Sequence, residues 1–433
     1  MQRQKPRTIA HRVLQNRENG KDYTENLFRR EIAEVSPTPQ DRALAQELTY
    51  GAARWQNTLD WLIDRKTDGR KQKQNLRLLL RLGLYQIFWL DRIPDHAAVH
   101  EIVELSKELG CAPQAGFLNA VLRDYVREKD MTHKLLNDLR YEDPPQGWSH
   151  PEDLCARWRE RWGDDRLFDL LKWNNTPPPT YARINTLRAE PKDIEAMWWN
   201  EGVEARPAPL TWENIPAYQL ESHPSLESLE SFRDGKFYVQ DPSTIAPVIE
   251  LDPQPGETIL DLCAAPGGKT TLIAQLMNNQ GKVLAADISP DRLKQVAENC
   301  VRLGVTCVES LVADETLNAK LADLSIDRIL IDAPCSNTGV IRRRVDARWR
   351  AGEKEIAELR EIQLQLLKKA AKWIKPGGRI VYSTCSLEPE ENRGVIAEFL
   401  KRHRKFRLDS DRQLLPFDDQ VDGGYSAVLK MTE

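Results

Sequence analysis

The chain has 433 residues, 40% of them hydrophobic and 30% charged, with 22 Gly and 26 Pro, so two or three cored domains are expected and collagen-like, mucin-like, coiled-coil and stapled miniature folds are excluded. Net charge is −4, yet the first 100 residues carry 18 Lys+Arg against 12 Asp+Glu, leaving 44 against 54 behind them, which favours an anionic partner for the front. No stretch reaches the ~18 apolar residues of a membrane span, and Met1-Gln2-Arg3-Gln4-Lys5-Pro6-Arg7 lacks the apolar core of a leader, so a cytoplasmic protein is expected.

From Thr8 to Lys129 apolar residues recur at helical spacing, as in Leu44-Ala45-Leu48-Ala52 and Leu78-Leu79-Leu82-Leu84-Ile87. Breaks at Ser36-Pro37-Thr38-Pro39, Lys66-Thr67-Asp68-Gly69, Ile93-Pro94-Asp95 and Gly110-Cys111-Ala112-Pro113 leave room for about five helices. The segment Tyr141-Glu142-Asp143-Pro144-Pro145-Gln146-Gly147 reads as a boundary, followed by an amphipathic stretch from Leu154 to Trp162 whose Trp158 and Trp162 are assigned to core packing. After Asn174-Asn175-Thr176-Pro177-Pro178-Pro179, the run Tyr181-Ala182-Arg183-Ile184-Asn185 alternates like a strand and opens a small α/β module. Beyond Gly235, short apolar runs (258–262, 283–286, 328–331, 379–382) interleave with helical patterns (272–277, 290–303, 353–374). That alternation predicts a parallel, doubly wound sheet, and three domains at 1–140, 141–235 and 236–433.

In the last domain, Ile259-Leu260-Asp261-Leu262-Cys263-Ala264-Ala265-Pro266-Gly267-Gly268-Lys269-Thr270 couples a strand to a small-residue loop and a helix. Small residues let a ligand approach the backbone, and amides at the helix start offer donors. The run matches neither Gly-x-Gly-x-x-Gly nor the P-loop, whose first glycine falls where Leu262 or Cys263 stands. Asp287 follows Gly267 by 20 residues at the end of the next apolar run, the position from which a carboxylate can accept both ribose hydroxyls. Asp314 follows the third strand and Asp332 ends the fourth, so three acids reach the carboxyl edge of the sheet. Two cysteines stand at strand ends, in Asp332-Ala333-Pro334-Cys335-Ser336 and Ser383-Thr384-Cys385-Ser386. A thiol there can serve as a nucleophile once activated. The other cysteines are 111, 155, 263, 300 and 307; no Cys-x-x-Cys occurs, so free thiols and no metal are expected.

These segments resemble the RNA (cytosine-5)-methyltransferases that use S-adenosylmethionine, and among them the bacterial small-subunit ribosomal RNA methyltransferase B group, also called Fmu or Sun. The carrying residues are Val239-Gln240-Asp241-Pro242-Ser243, Asp261 to Thr270, Asp332 to Arg343, and Tyr382-Ser383-Thr384-Cys385-Ser386 with Glu390-Glu391-Asn392. At the front, Gln46-Glu47-Leu48-Thr49-Tyr50-Gly51, Ile93-Pro94-Asp95-His96-Ala97-Ala98-Val99 and Phe117-Leu118-Asn119-Ala120-Val121-Leu122-Arg123 resemble a NusB-like RNA-binding domain.

The resemblance implies a helical NusB-like domain, a small α/β linker domain and a Rossmann-like methyltransferase domain, acting as a monomer on 16S ribosomal RNA. It implies cofactor contacts from Cys263, Ala264, Ala265, Pro266, Gly267, Gly268, Lys269, Asp287, Asp314 and Asp332, with Cys385 as nucleophile and Cys335 in product release. By motif shape alone, a Pro-Cys nucleophile would select Cys335. Three departures stand out: Ala313-Asp314-Glu315 where Gly-Asp is usual, Arg344-Val345 after Arg342-Arg343 where His-Pro is usual, and a reduced C-terminal pattern, Asp422-Gly423-Gly424-Tyr425. The resulting Arg run is offered to phosphates. The rivals are a cytosine methyltransferase acting on transfer RNA, a non-catalytic RNA-binding assembly factor, and an NAD-dependent dehydrogenase. The dehydrogenase lacks its glycine fingerprint and has no use for two strand-end thiols.

Overall fold

A helix that is apolar over most of its surface must be buried, and Gln74–Trp89 is such a helix, with Arg77 and Arg81 on one side paired to Asp60. Leu78, Leu79, Leu80, Leu82, Leu84 and Ile87 are at most 2% exposed. The computed structural model describes residues 5–20, 22–212 and 215–432; Met1 to Gln4, which head the stretch examined for a leader, lie outside them. Contacts divide the chain into two units, residues 1–176 with 341–350, and residues 177–340 with 351–433.

In the first unit, among the described residues before Glu128, seven α-helices surround or include the buried one: Pro6–Asn19, Thr24–Val35, Pro39–Arg54, Gln56–Lys66, Gln74–Trp89, Asp95–Glu108 and Ala115–Arg127. That exceeds the roughly five expected by two, because the chain also breaks after Asn19, at Gly20, and turns at Trp55 (φ −96°, ψ 19°), the latter without the Pro or Gly that normally punctuates a sequence. Gly51 lies against Tyr85 so closely that a Cβ would stand 1.9 Å from the ring. Lys129–Glu142 and Glu152–Asn175 complete the main helices, the latter interrupted at Gly163 (φ 80°, ψ 175°). Trp158 is buried in the core, as expected.

Residues 341–350 return to this unit and are held by charge. Arg348, 1% exposed, donates to the carbonyls of Arg54 (3.2 Å), Ser149 (3.0 Å) and Asn174 (3.1 Å) and to Asn175 Oδ1 (2.9 Å). Asp346 accepts from Arg17 Nε (2.5 Å) and from the backbone N–H of Thr24 (2.6 Å). Arg342 is 2% exposed with its guanidinium 3.9 Å from the centre of the Trp173 ring. This corrects the expectation of a phosphate contact for Arg342, which is packed inside the fold, while Arg343 is half-buried and Arg344 exposed.

The second unit carries two sheets. β1 (Thr180–Ile184), β2 (Glu204–Pro207), β3 (Ala217–Ser222) and β4 (Phe237–Val239) pair antiparallel in the order β2-β3-β1-β4. The larger sheet comprises β5 (Thr258–Leu262), β6 (Lys282–Asp287), β7 (Val308–Val312), β8 (Ile326–Asp332), β9 (Ile374–Thr384), β10 (Phe406–Leu414) and β11 (Gly424–Met431), ordered β10-β11-β9-β8-β5-β6-β7. β5 to β9 are parallel. Their middle members are continuous apolar runs because helices cover both faces: Val283 to Ala286 are at most 1% exposed. The prediction of a parallel sheet needs one correction, since β10 and β11 extend it antiparallel beyond β9. The chain order reverses between β5 and β8, which places the ligand crevice of such a sheet at their carboxyl ends.

Candidate active site

At the end of β5 the chain makes a tight reversal. Cys263 adopts φ 62°, the Ala265–Pro266 bond is cis, and Gly267 adopts φ 103° before the helix Gly268–Leu276 begins. A Cβ on Gly267 would press to 3.3 Å from the Val296 backbone, and one on Gly268 to 3.0 Å from the Tyr238 ring. Gly267 is therefore required by the turn, while a side chain at Gly268 would need the Tyr238 ring to give by a few tenths of an ångström. Beneath the loop, Asp261 is 0% exposed and accepts from Thr270 Oγ1 at 2.6 Å. Burial raises its carboxyl to about 7, against the pull of Thr270 and Lys269.

Asp287 ends β6, nearly buried, and accepts from the N–H groups of Ala265 (3.2 Å) and Ser289 (3.0 Å). Arg292 approaches the same carboxylate at 3.4 Å and donates to the Ala265 carbonyl at 2.5 Å. One acid thus fixes both the glycine loop and the turn after β6. Asp332 ends β8 and is paired with Lys269 at 2.6 Å, with Ser383 Oγ 3.1 Å from its other oxygen. Burial works to lower the Lys269 ammonium, but Asp332, with Asp261 behind it, holds it above its ordinary value. Asp314 stands apart. It is exposed and accepts from the N–H (2.9 Å) and hydroxyl (2.5 Å) of Thr316, which hold its carboxyl below the usual range.

The two thiols predicted at strand ends meet. Cys335 Sγ lies 3.3 Å from Cys385 Sγ, and Cys385 also donates to Asn337 Oδ1 at 3.1 Å. Asn337 adopts φ 61° and donates to the Cys335 carbonyl at 2.7 Å. The hydrogen bond with Cys385 and burial push the Cys335 thiol well above its ordinary value. Cys385 is half-buried and lines a cavity with Lys269, Asp332, Ser383, Thr384 and Tyr425, whereas Cys335 sits behind that wall. All seven cysteines are free, as expected.

Asn337 and Glu391 both lie in the motif segments, but the sequence assigns neither a role. Glu391 is 0% exposed and accepts from the hydroxyls of both Ser336 and Ser386 (2.5 Å from Ser386). The one available signal was its place in Glu390-Glu391-Asn392 beside the Thr-Cys-Ser segment. Among the described residues, no cluster of three His, Cys, Asp or Glu could hold a metal, and no helix is long and apolar enough to cross a membrane.

The loop, the acids and the small-residue turns fit an adenosine cofactor. Gly267 and Gly268 leave the backbone bare where side chains would clash, and the buried Asp287 keeps lone pairs at the end of β6.

Comparison with known proteins identifies the family and the fold. The model of the 16S rRNA methyltransferase RsmB/F family matches residues 248–429, the NusB family matches 4–127, and the ferredoxin-like domain of RsmF/B-like methyltransferases matches 150–216. The chain is 34% identical to the probable ribosomal RNA small subunit methyltransferase B of Bacillus subtilis, over 94% of this chain and 91% of that one. It is 37% identical to ribosomal RNA small subunit methyltransferase B of Erwinia tasmaniensis, over 92% of each. Among solved structures, PH0851 aligns with a TM-score of 0.77 at 26% identity over 98% of both chains. A methyltransferase homolog from Pyrococcus horikoshii aligns at 0.58 and 30% identity, over 69% of this chain and 99% of that one. The fold is thus a NusB-like helical N-terminus, a ferredoxin-like linker and a Rossmann-like methyltransferase domain. The chain belongs to the ribosomal RNA small subunit methyltransferase B family.

Proposed function

We propose that this protein transfers a methyl group from S-adenosylmethionine to C5 of a cytosine in 16S ribosomal RNA, through a covalent bond between Cys385 and C6 of the base. The observation that carries this reading is the thiol pair: Cys385 lines the cavity beside Lys269 and Asp332, while Cys335 is buried 3.3 Å behind it. When bound, the cofactor supplies an electrophilic methyl on sulfonium. The loop 263–269, Asp287 and Asp332 would hold it, with Asp314, exposed and tied to Thr316, as the outlying acid of that edge.

Cytosine C5 is a weak nucleophile, and the protein's part is to make it a strong one. Cys385 gives up its proton to solvent and its sulfur bonds to C6, pushing an electron pair onto C5. Once C5 carries the methyl, its proton is lost to solvent, the C5–H pair re-forms the C5–C6 double bond, and the S–C6 bond breaks with its pair returning to sulfur as thiolate. Cys335, whose proton is held by burial and by Cys385, is not the attacking group and serves at release. A cytosine in a helix would first have to be exposed. The helical unit, with its basic front, is assigned to RNA contact.

Transfer of labelled methyl to unmodified 16S ribosomal RNA, with nucleoside analysis and mapping, tests the reaction. Label in 5-methylcytosine at one position is expected. Cys385→Ala should abolish both methylation and the covalent RNA adduct, whereas Cys335→Ala should accumulate an adduct that cannot eliminate. Reversed phenotypes would overturn the assignment of nucleophile; label only in transfer RNA would overturn the substrate.

A further inference from the structure

Cysteines at the ends of two different strands do not stay 3.3 Å apart unless their loops are tied. Cys335 and Cys385 are each followed by a serine, and both serines turn to one carboxylate. Ser336 Oγ and Ser386 Oγ (2.5 Å) donate to Glu391 Oε2, while Oε1 accepts the Ser336 N–H (2.9 Å) and Gln363 Nε2 (3.0 Å). The serine oxygens are 3.1 Å from each other. A fully buried carboxylate is costly unless several donors meet it, and here three come from the thiol loops and the fourth from Gln363 on the helix Glu353–Trp373, whose amide also donates to the Pro334 carbonyl (2.9 Å).

The next residue holds one loop independently. Asn392 Nδ2 donates to the Ser386 carbonyl (2.9 Å) and Asn392 Oδ1 accepts from Thr384 Oγ1 (2.6 Å), bracketing Cys385 from both sides. The Cys335 loop is pinned to its neighbour at both ends, by Ala333 N–H to the Ser383 carbonyl (2.9 Å) and Gly339 N–H to the Cys385 carbonyl (2.9 Å), so removing Glu391 would leave both loops in place and free the stretch at Ser336, next to the Cys335 thiol.

The geometry points to Glu391 as a positioning residue that fixes the spacing of the two thiols during the reaction, an inference that rests on the roles proposed above for Cys385 and Cys335. It touches neither thiol and acts only through Ser336 and Ser386. Pre-organised geometry of this kind carries large rate factors, since an ångström of misplacement can cost on the order of a hundredfold.

The test reads thiol spacing without methylation. Diamide removes two electrons and two protons from a thiol pair, closing an S–S bond as its own N=N bond is reduced to a hydrazine. Treated with diamide, the full-length protein should form the Cys335–Cys385 disulfide, seen as a linked peptide pair two hydrogens lighter, and Cys335→Ser should not. In Glu391→Ala the rate of closure should fall by about tenfold or more, with kcat for methyl transfer falling in parallel and cofactor KM unchanged. Glu391→Gln should restore most of both, because its amide oxygen can accept the Ser336 N–H and its NH2 can donate to the serine oxygens. If Glu391→Ala proves unstable, Ser336→Ala should show the same direction with smaller effect.

Closure at the wild-type rate in Glu391→Ala would overturn the inference, as would slow closure with unimpaired kcat or failure of Glu391→Gln to rescue. Methylation surviving in Cys385→Ala would instead overturn the reaction scheme, whatever Glu391 does to closure.

Discussion

Asp261→Asn should flatten the pH dependence of stability. Asp261 lies beneath the glycine loop with Thr270 on one oxygen, and Lys269, Asp332 and Asp287 as its charged neighbours. Its carboxyl has an ordinary value of 3.8 when unfolded and is raised to about 7 in the fold, mainly by burial. Below the lower value both states hold the proton and the stabilising contribution is complete. As pH rises toward 7 the unfolded chain releases its proton while the folded one keeps it, so stability falls by about 1.4 kcal/mol per pH unit, about 4 kcal/mol in all, then levels. Asparagine has no proton to lose. In urea unfolding of the full chain, the stability difference between wild type and Asp261→Asn should drop by about 2 kcal/mol between about pH 5.5 and 7.5. Parallel profiles over that range would refute the assignment of a protonated Asp261.

Arg348→Ala should destabilise the helical unit by about 3–5 kcal/mol, because three carbonyls and Asn175 Oδ1 lose their buried donor; chemical denaturation checks this. Gly267→Ala forces a side chain into φ 103° and toward Val296, at a cost of roughly 1–3 kcal/mol, and calorimetry should show weakened cofactor binding. Leu79→Ala, in the helix Gln74–Trp89, should cost about 2–5 kcal/mol, read as a lower midpoint in thermal unfolding.

The strand-loop-helix run around Cys263 and both strand-end thiols could be read directly, because chemistry and backbone geometry restrict the residues there. The helix 290–303 was also plain, with a Ser289 cap, Pro290 at its first position and Gly304 after it. β10 was not legible: Arg407, Asp409 and Ser410 are exposed and polar around a lone exposed Leu408, so this edge strand lacks the apolar run that marked β6. Arg342 misled for a different reason. A run of arginines looks solvent-facing until Trp173 supplies a ring for one of them, and nothing local to residue 342 announces a partner 169 positions earlier. The role of Glu391 was hidden likewise, since the serines it joins belong to the loops after β8 and β9, which only the sheet brings together.

The return of residues 341–350 to the helical unit sets an order of events during synthesis. The N-terminal helices leave the ribosome first, but the side chain that satisfies the carbonyls of Arg54, Ser149 and Asn174 is Arg348. At roughly 5–20 residues per second, it is translated on the order of 10–35 s after residue 176. Until then the nascent helical unit holds an unfilled polar socket, and its final consolidation waits on a decapeptide encoded far downstream.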